Sequence, residues 1–255
     1  MKKQKIILVT GAGSGLGKSI AQELINKGHV VYGTYRTNNN VKIDGVTFIQ
    51  SDITSQKDNE ILINKIIRKE KHLDVIINNA GITLTGPTLS FSAEDFQRIL
   101  EINVIGPFRL IKIACSSKKR PSLIINITSL NAFLSVPNFG LYAASKHAME
   151  ALGFALRYEI APQTKVVSVT PGALKKQGLI KMPHKPAREK FPILNWIIPL
   201  TSQNEVAKVV ENLINISKIP RRVIIGRDAH IINIMQRLLP SFIFDKILSY
   251  IWNKK

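Results

Sequence analysis

The first 35 residues contain a glycine-rich segment between two apolar runs. Residues 6–9, Ile-Ile-Leu-Val, are apolar without alternation, as in a strand that is buried on both faces of a parallel sheet. Residues 10–17, Thr-Gly-Ala-Gly-Ser-Gly-Leu-Gly, follow directly, residues 18–27 show helical periodicity, and a second apolar run begins at Val30. This order of strand, glycine loop, helix and strand predicts a βαβ unit that holds a dinucleotide pyrophosphate at the helix N-terminus.

The rest of the chain continues the alternation of strands and helices. Short apolar runs predict further strands at 46–50, 73–77, 123–127, 165–169 and 222–225. Periodicity predicts helices at 59–69, 93–105, 108–117, 142–160 and 205–216, with a break at Gly106-Pro107. The pattern predicts an α/β fold: one doubly wound (Rossmann) parallel sheet with helices on both faces over residues 1–228. Residues 229–255 are expected to form an apolar, helical C-terminal extension.

The composition bears on disulfides, metal sites, cellular location and membrane spans. Among 255 residues, 45% are hydrophobic and 21% charged, which is typical of a globular protein. The single cysteine, Cys115, excludes an internal disulfide framework and favours a cytoplasmic location. Together with the five histidines it shows no metal-ligand spacing, so no metal site is predicted. Uninterrupted apolar runs are too short to predict a membrane-spanning helix.

The formal net charge of +19 is the unusual feature of the composition. Such an excess indicates an anionic partner, which could be nucleic acid, a lipid surface or a phosphorylated ligand. Scattered, solvated surface lysines would account for it equally well. Because no helix-turn-helix, aromatic platform or zinc pattern accompanies the basic residues, specific nucleic-acid binding is not expected.

The stretch from Ser129 to Lys146 carries groups suited to proton transfer. Tyr142 and Lys146 are four residues apart, which places both side chains on one face of a helix. A neighbouring cation favours the phenolate form of tyrosine, so Tyr142 is a candidate general acid/base. Ser129 follows the apolar run 123–127 and could hold a substrate oxygen beside Tyr142. Taken alone, this spacing more often marks an ordinary exposed helix face, and the assignment depends on the rest of the chain.

Taken together, the motifs resemble those of the short-chain dehydrogenases/reductases over roughly residues 5–225. The matching motifs, in the family's order and spacing, are Thr10-Gly11-Ala12-Gly13-Ser14-Gly15-Leu16-Gly17, Asp52, Asn78-Asn79-Ala80-Gly81, Asn103, Ser129, Tyr142-Ala143-Ala144-Ser145-Lys146 and Pro171-Gly172. The resemblance implies an NAD(P)-dependent oxidoreductase that interconverts a carbonyl and a secondary alcohol by hydride transfer.

The resemblance also implies a role for each of four catalytic residues. Tyr142 would protonate a carbonyl oxygen during reduction, or deprotonate an alcohol during oxidation. Ser129 would hydrogen-bond that oxygen and stabilise its developing charge. Lys146 would hold the nicotinamide ribose hydroxyls and favour the Tyr142 phenolate. Asn103 would maintain a local helix distortion and a water-based proton path to Lys146.

A larger set of residues is implied to bind the cofactor. This set is Gly11, Gly13, Ser14, Gly15, Leu16, Gly17, Asp52, Ile53, Asn79, Tyr142, Lys146, Pro171 and Gly172. Asp52 would contact the adenine amine, and Asn79 the adenosine side of the pocket. Plainer interpretations stay open: Asp52 as the cap of the next helix, Asn78 and Asn79 as turn residues, and Asn103 as a solvated helix position.

The end of the second strand predicts which dinucleotide is preferred. The carboxylate that would bond a ribose 2′-hydroxyl is absent, since Tyr35 holds that place and Arg36 follows. A guanidinium suits a 2′-phosphate, with Ser14 as a second contact. We therefore expect NADP(H) over NAD(H), and carbonyl reduction as the cellular direction. The alternative is that Arg36 is an ordinary surface residue.

Two segments near the C-terminus bear on the substrate. The family often places a hydroxyl residue after Pro171-Gly172, whereas residues 173–177 contain none. A basic, proline-rich substrate loop is expected at about 173–202. Residues 231–252 are apolar and divided by Pro240. They are predicted to close the substrate site or to form a homo-oligomer interface. The alternative is peripheral membrane contact that delivers a lipophilic ketone.

A rival function from another class is a regulator on the same fold that senses the cofactor without turnover. Such a protein would not need Asn103, Ser129, Tyr142 and Lys146 together. The complete set therefore favours an enzyme.

Overall fold

The structure is a computed structural model that describes residues 3–37, 42–175 and 200–253. The described strands are β1 (Ile6–Val9), β2 (Val30–Tyr35), β3 (Val46–Gln50), β4 (Val75–Asn78), β5 (Leu123–Ile127), β6 (Lys165–Pro171) and β7 (Arg222–Ile225). They form one parallel sheet in the order β3-β2-β1-β4-β5-β6-β7. The predicted doubly wound α/β fold is confirmed.

Helices connect these strands and cover both faces of the sheet. The described helices are α1 (Gly15–Asn26), α2 (Gln56–Glu70), α3 (Ala93–Leu100), α4 (Gly106–Cys115), α5 (Gly140–Glu159), α6 (Gln203–Asn215), α7 (Arg227–Leu238) and α8 (Ser241–Asn253). The first helix begins three residues earlier than predicted, so the last glycines of the loop form its first turn.

The apolar runs lack alternation because the sheet is covered on both sides. Successive side chains of a strand point to opposite faces. In β1, Ile7 and Val9 belong to a core with residues of α1 and α6. Ile6 and Leu8 belong to a second core with residues of α2, α4 and α5. Every side chain of β1 is therefore buried, and the sequence shows a continuous apolar run.

The strand order creates a switch point where the chain reverses its direction of travel across the sheet. From β1 the chain proceeds to β2 and β3 on one side, then returns to β4 on the other side. Ligands of open α/β sheets bind at this switch point, beyond the carboxyl ends of the strands. The glycine loop follows β1, and Asn79 follows β4.

The predicted helix break at Gly106-Pro107 is wrong. The helical path continues from α3 to α4 through a π-helical segment, Glu101–Ile105, in which the Gly106 amide bonds the Glu101 carbonyl. A proline ring clashes with the carbonyl four residues before it, which for Pro107 belongs to Asn103. The wider π turn accommodates this clash, so the distortion lies at Asn103 and not at the proline.

Candidate cofactor and catalytic site

The glycine loop is held in place by hydrogen bonds to both neighbouring strands. Thr34 of β2 accepts from Gly11 N at its hydroxyl (3.1 Å) and from Ala12 N at its carbonyl (2.8 Å). On the other side, Asn79 donates from its side-chain amide to the carbonyls of Thr10 (3.0 Å) and Gly11 (3.3 Å). The loop is therefore hydrogen-bonded on both sides.

The first turn of α1 lies directly against this loop. A Cβ atom on Gly17 would overlap the Gly11 carbonyl oxygen and would lie 2.5 Å from Asn79 Nδ2. Ser14 is the N-cap of α1 but makes no side-chain capping bond, and both Ser14 and Gly15 are exposed. A helix N-terminus presents N–H donors and a partial positive charge. The loop and the helix start together fit a dinucleotide pyrophosphate.

Both asparagines at the end of β4 have structural partners, so neither is only a turn residue. Asn78 is buried and donates to Asn126 Oδ1 across the sheet at 2.9 Å. Asn79 secures the glycine loop as described above. The family resemblance implies that Asn79 lies on the adenosine side of the pocket, and its bonds to the glycine loop are an additional structural role.

Asp52 lies at the end of β3, but it does not cap α2. Its Oδ1 accepts from the amide (2.9 Å) and the hydroxyl (2.8 Å) of Thr54. The cap is Ser55, whose hydroxyl accepts from Asp58 N at 3.1 Å. The neighbouring Ile53 carbonyl accepts from Asn59 at 2.9 Å. Asp52 and Ile53 thus belong to a hydrogen-bonded turn at the carboxyl edge of the sheet.

Arg36 is exposed just beyond β2, where its carbonyl accepts from Gln50 Nε2 at 3.1 Å. It lines a surface pocket of about 330 Å³ together with Gln50 and two carboxylates, Asp52 and Asp58. Arg36 follows Thr34, which holds the glycine loop, by two residues. Its backbone is therefore anchored beside the loop, while its side chain is accessible to an anion.

Helix α5 brings Tyr142 and Lys146 together. Lys146 Nζ lies 5.7 Å from the centroid of the Tyr142 ring, and the lysine is only 6% exposed. The ammonium donates to the Ile127 carbonyl, at the end of β5, at 3.1 Å. A buried cation is therefore fixed beside the partly exposed phenol, and the interpretation of this pair as an ordinary exposed helix face is wrong.

Asn103 is buried in the π segment and is not a solvated position. It is 2% exposed; its Oδ1 accepts from Ile82 N at 2.9 Å, and its Nδ2 donates to Ile82 O at 3.0 Å. The same Nδ2 donates to Ser145 Oγ at 3.0 Å, and Ser145 donates to the Tyr142 carbonyl at 2.7 Å. Ser145 lies within the Tyr142–Lys146 motif, and the sequence pattern predicts no role for it. It links the π segment to α5.

Ser129 lies at the end of β5, where it caps a 3₁₀ turn, Leu130–Ala132. Its hydroxyl accepts from Asn131 N at 3.2 Å and is partly exposed. This turn packs against α5. Ser129, Tyr142 and Lys146 therefore belong to contacting elements at the carboxyl edge of the sheet.

Pro171 ends β6 and Gly172 follows it, with Gly172 N donating to Ile225 O at 2.8 Å. Most of the predicted substrate loop, residues 176–199, lies outside the described residues. At its two ends, Leu174 pairs with Thr201 in an isolated parallel bridge. Within the described ranges, no group of three His, Cys, Asp or Glu side chains is placed to hold a metal ion.

The sequence profile of the short chain dehydrogenase family matches residues 5–186. The chain is 36% identical over 171 residues to a 3-ketodihydrosphingosine reductase of Bacteroides thetaiotaomicron, covering 66% of this chain and 63% of that protein. It thus spans less than two thirds of that relative. It is 32% identical over 227 residues to the 3-oxoacyl-[acyl-carrier-protein] reductase FabG of Buchnera aphidicola, covering 79% and 91%.

Solved structures share the fold over nearly the whole chain. A short-chain dehydrogenase from Streptomyces avermitilis superposes with a TM-score of 0.78 at 26% identity, covering 97% of this chain and 98% of its own. The protein ElxO with NADP bound superposes with a TM-score of 0.74 at 26% identity, covering 88% and 96%.

Proposed function

Because the chain belongs to the short-chain dehydrogenase family, we propose that it reduces a lipophilic carbonyl compound with NADPH, using Tyr142 as the proton donor. The protein is an oxidoreductase that acts on a carbonyl/alcohol pair of a small-molecule substrate. The observation that carries the finer proposal is the buried Lys146 ammonium, held beside the phenol ring of Tyr142.

The proposed chemistry divides between the cofactor and four side chains. When bound, the dinucleotide supplies the hydride. Tyr142 Oη donates its proton to the substrate carbonyl oxygen, and the Ser129 hydroxyl donates a hydrogen bond to that oxygen. Lys146 stabilises the phenolate left on Tyr142. Asn103 holds the π segment against α5 through Ser145 and so keeps Lys146 and Tyr142 in register.

Two relatives support a lipophilic substrate. Their names denote reductases of 3-keto or 3-oxo compounds, one a sphingoid base and the other a carrier-bound acyl chain. Purified protein should oxidise NADPH in the presence of long-chain 3-oxo compounds and respond weakly to their short-chain analogues. Failure to reduce any carbonyl substrate with either dinucleotide would contradict the proposed function and favour the cofactor-sensing regulator.

Cofactor preference provides a separate test. Arg36→Asp replaces the cation expected at the 2′-phosphate with an anion, so NADPH affinity should fall by roughly 10- to 100-fold while NADH affinity changes little. Fluorescence titration of both dinucleotides measures this. Arg98→Asp is the matched control, because Arg98 is an exposed arginine on α3. Tighter binding of NADH than of NADPH by the parent would overturn the preference.

The C-terminal helices have an inner face that packs on the rest of the chain and an outer face that is exposed. On the inner face, Gln236 of α7 donates to the carbonyl of Phe133, just after the Ser129 turn, at 2.7 Å. Phe244 of α8 is buried. On the outer face, Ile234, Leu238 and Phe242 are 52%, 76% and 71% exposed. The described part of the chain has no helix that could cross a membrane.

This outer stripe (Ile234, Leu238 and Phe242) is, in our proposal, an interface between copies of the chain in the cytoplasm. Members of this family commonly oligomerise, and exposed apolar patches usually mark protein contacts. Leu238→Glu combined with Phe242→Glu should lower the mass measured by light scattering. Leu89→Glu, at a residue 99% exposed elsewhere, should leave that mass unchanged. Flotation of the parent on anionic liposomes, lost in the double variant at unchanged mass, would instead identify a lipid surface as the partner.

A further inference from the structure

Asp228 is a buried carboxylate in the first turn of α7 that accepts a hydrogen bond from the segment just after β6. It is 7% exposed; its Oδ2 accepts from Ala173 N at 2.7 Å, and its Oδ1 accepts from Ala229 N at 2.9 Å. Hydrogen bonds to an ionised acceptor are stronger than those between neutral groups. A helix in the C-terminal extension is thereby connected to the turn that follows Pro171-Gly172.

Two glycines leave room for this carboxylate. A Cβ on Gly172 would lie 2.5 Å from Asp228 Cγ, and one on Gly226 would lie 2.8 Å from Asp228 Oδ1. Gly226 also has φ +106°, a conformation that other residues rarely adopt. The Asp228 carboxylate can therefore occupy its position only because these two residues lack a side chain.

The same contact reaches the root of the substrate loop. The Ala173 amide donates a hydrogen bond to Asp228. The Ala173 carbonyl accepts another from Thr201 N at 2.9 Å. Thr201 in turn accepts from Lys175 N at 2.9 Å. The Asp228 carboxylate thus bonds Ala173, and Ala173 in turn bonds Thr201 where the two described ends of the loop meet.

We propose that Asp228 is a positioning residue that fixes the Gly172–Ala173 backbone against the nicotinamide end of the cofactor. The inference rests on the proposed function, because that function makes Gly172 border the cofactor. In our proposal Asp228 also compensates for the hydroxyl missing from residues 173–177. The backbone after Pro171 is held by the Asp228 carboxylate of α7 and not by a side-chain hydroxyl within those residues.

Asp228→Asn provides the first test. An amide has one acceptor oxygen for two N–H donors, so one bond is lost and an NH₂ group faces a backbone N–H. NADPH affinity should fall roughly tenfold, with a larger rise in KM for NADPH than fall in kcat. Hydrogen exchange of the 169–175 backbone should become faster. Asp245→Asn, at an exposed residue of α8, is the control and should change none of these quantities.

Gly172→Ala provides a second test that keeps the carboxylate. The added Cβ would clash with Asp228, so this substitution alone should weaken NADPH binding. In a chain that already carries Asp228→Ala, adding Gly172→Ala should not weaken NADPH binding further. An equal loss of NADPH affinity in both backgrounds would overturn the inference. So would an Asp228→Asn variant whose NADPH affinity and backbone hydrogen exchange equal those of the parent. Should Asp228→Asn not fold, unchanged NADPH binding by Gly172→Ala would overturn it. If the parent binds neither dinucleotide, the proposed function fails, and the exchange rate of the 169–175 backbone decides the role of Asp228.

Discussion

Replacing Tyr142 with phenylalanine is expected to lower carbonyl reduction by at least about a hundredfold, since general acid catalysis typically contributes 10²–10⁴-fold. The phenyl ring retains the packing of the parent and still lies beside Lys146 Nζ. Only the hydroxyl that donates the proton is removed. NADPH affinity should therefore stay close to that of the parent. Steady-state turnover and a fluorescence titration on the same preparation separate the two effects.

The matched control is Tyr158→Phe, which removes a phenolic hydroxyl from the same helix at a residue that is 71% exposed. Its turnover should equal that of the parent. A Tyr142→Phe variant that reduces substrate as fast as the parent would refute the proposed proton donor. Loss of NADPH binding in step with turnover would assign Tyr142 to cofactor binding instead.

The fold could be read from the sequence because its signal is local and repeated. β2, β3, β5 and β7 coincide with the predicted runs because each is mostly apolar. β5 is buried throughout, whereas the edge strands β3 and β7 are only partly buried. Helix boundaries differ from the predicted ones where a glycine or proline begins a helix. Gly15 and Pro107 both lie in the first turn of a helix, where a missing side chain or N–H is tolerated.

The site was predictable only where its chemistry lies within one short stretch of chain. Tyr142 and Lys146 share one helix, so their spacing determines their approach. Asn103 gave no local sign of burial, because its partners Ile82 and Ser145 are 21 and 42 residues away. Asp228 is further removed, since Ala173 lies 55 residues before it. Contacts that depend on the assembled sheet are not encoded in any window of neighbouring residues.

Gly17→Ala is expected to abolish dinucleotide binding and to destabilise the protein. The added methyl group would overlap the Gly11 carbonyl oxygen and crowd Asn79 Nδ2 at 2.5 Å. Neither neighbour can withdraw freely: Gly11 N is bonded to Thr34, and Asn79 is bonded to the loop on both Thr10 and Gly11 carbonyls. Relieving the overlap therefore means moving the loop that would hold the pyrophosphate. Overpacking of this kind costs about 1–3 kcal/mol of unfolding free energy.

Urea denaturation and NADPH titration measure the two losses, and Gly28→Ala separates them. Gly28 lies just beyond the other end of α1 with φ +81°, and a Cβ there would meet no atom within 4 Å. Alanine at that position should cost about 1–2 kcal/mol through backbone strain alone, yet leave NADPH binding intact. A Gly17→Ala variant that binds NADPH as the parent does would show that the loop can move aside. The rigid contact between α1 and the glycine loop would then not be what shapes the cofactor site.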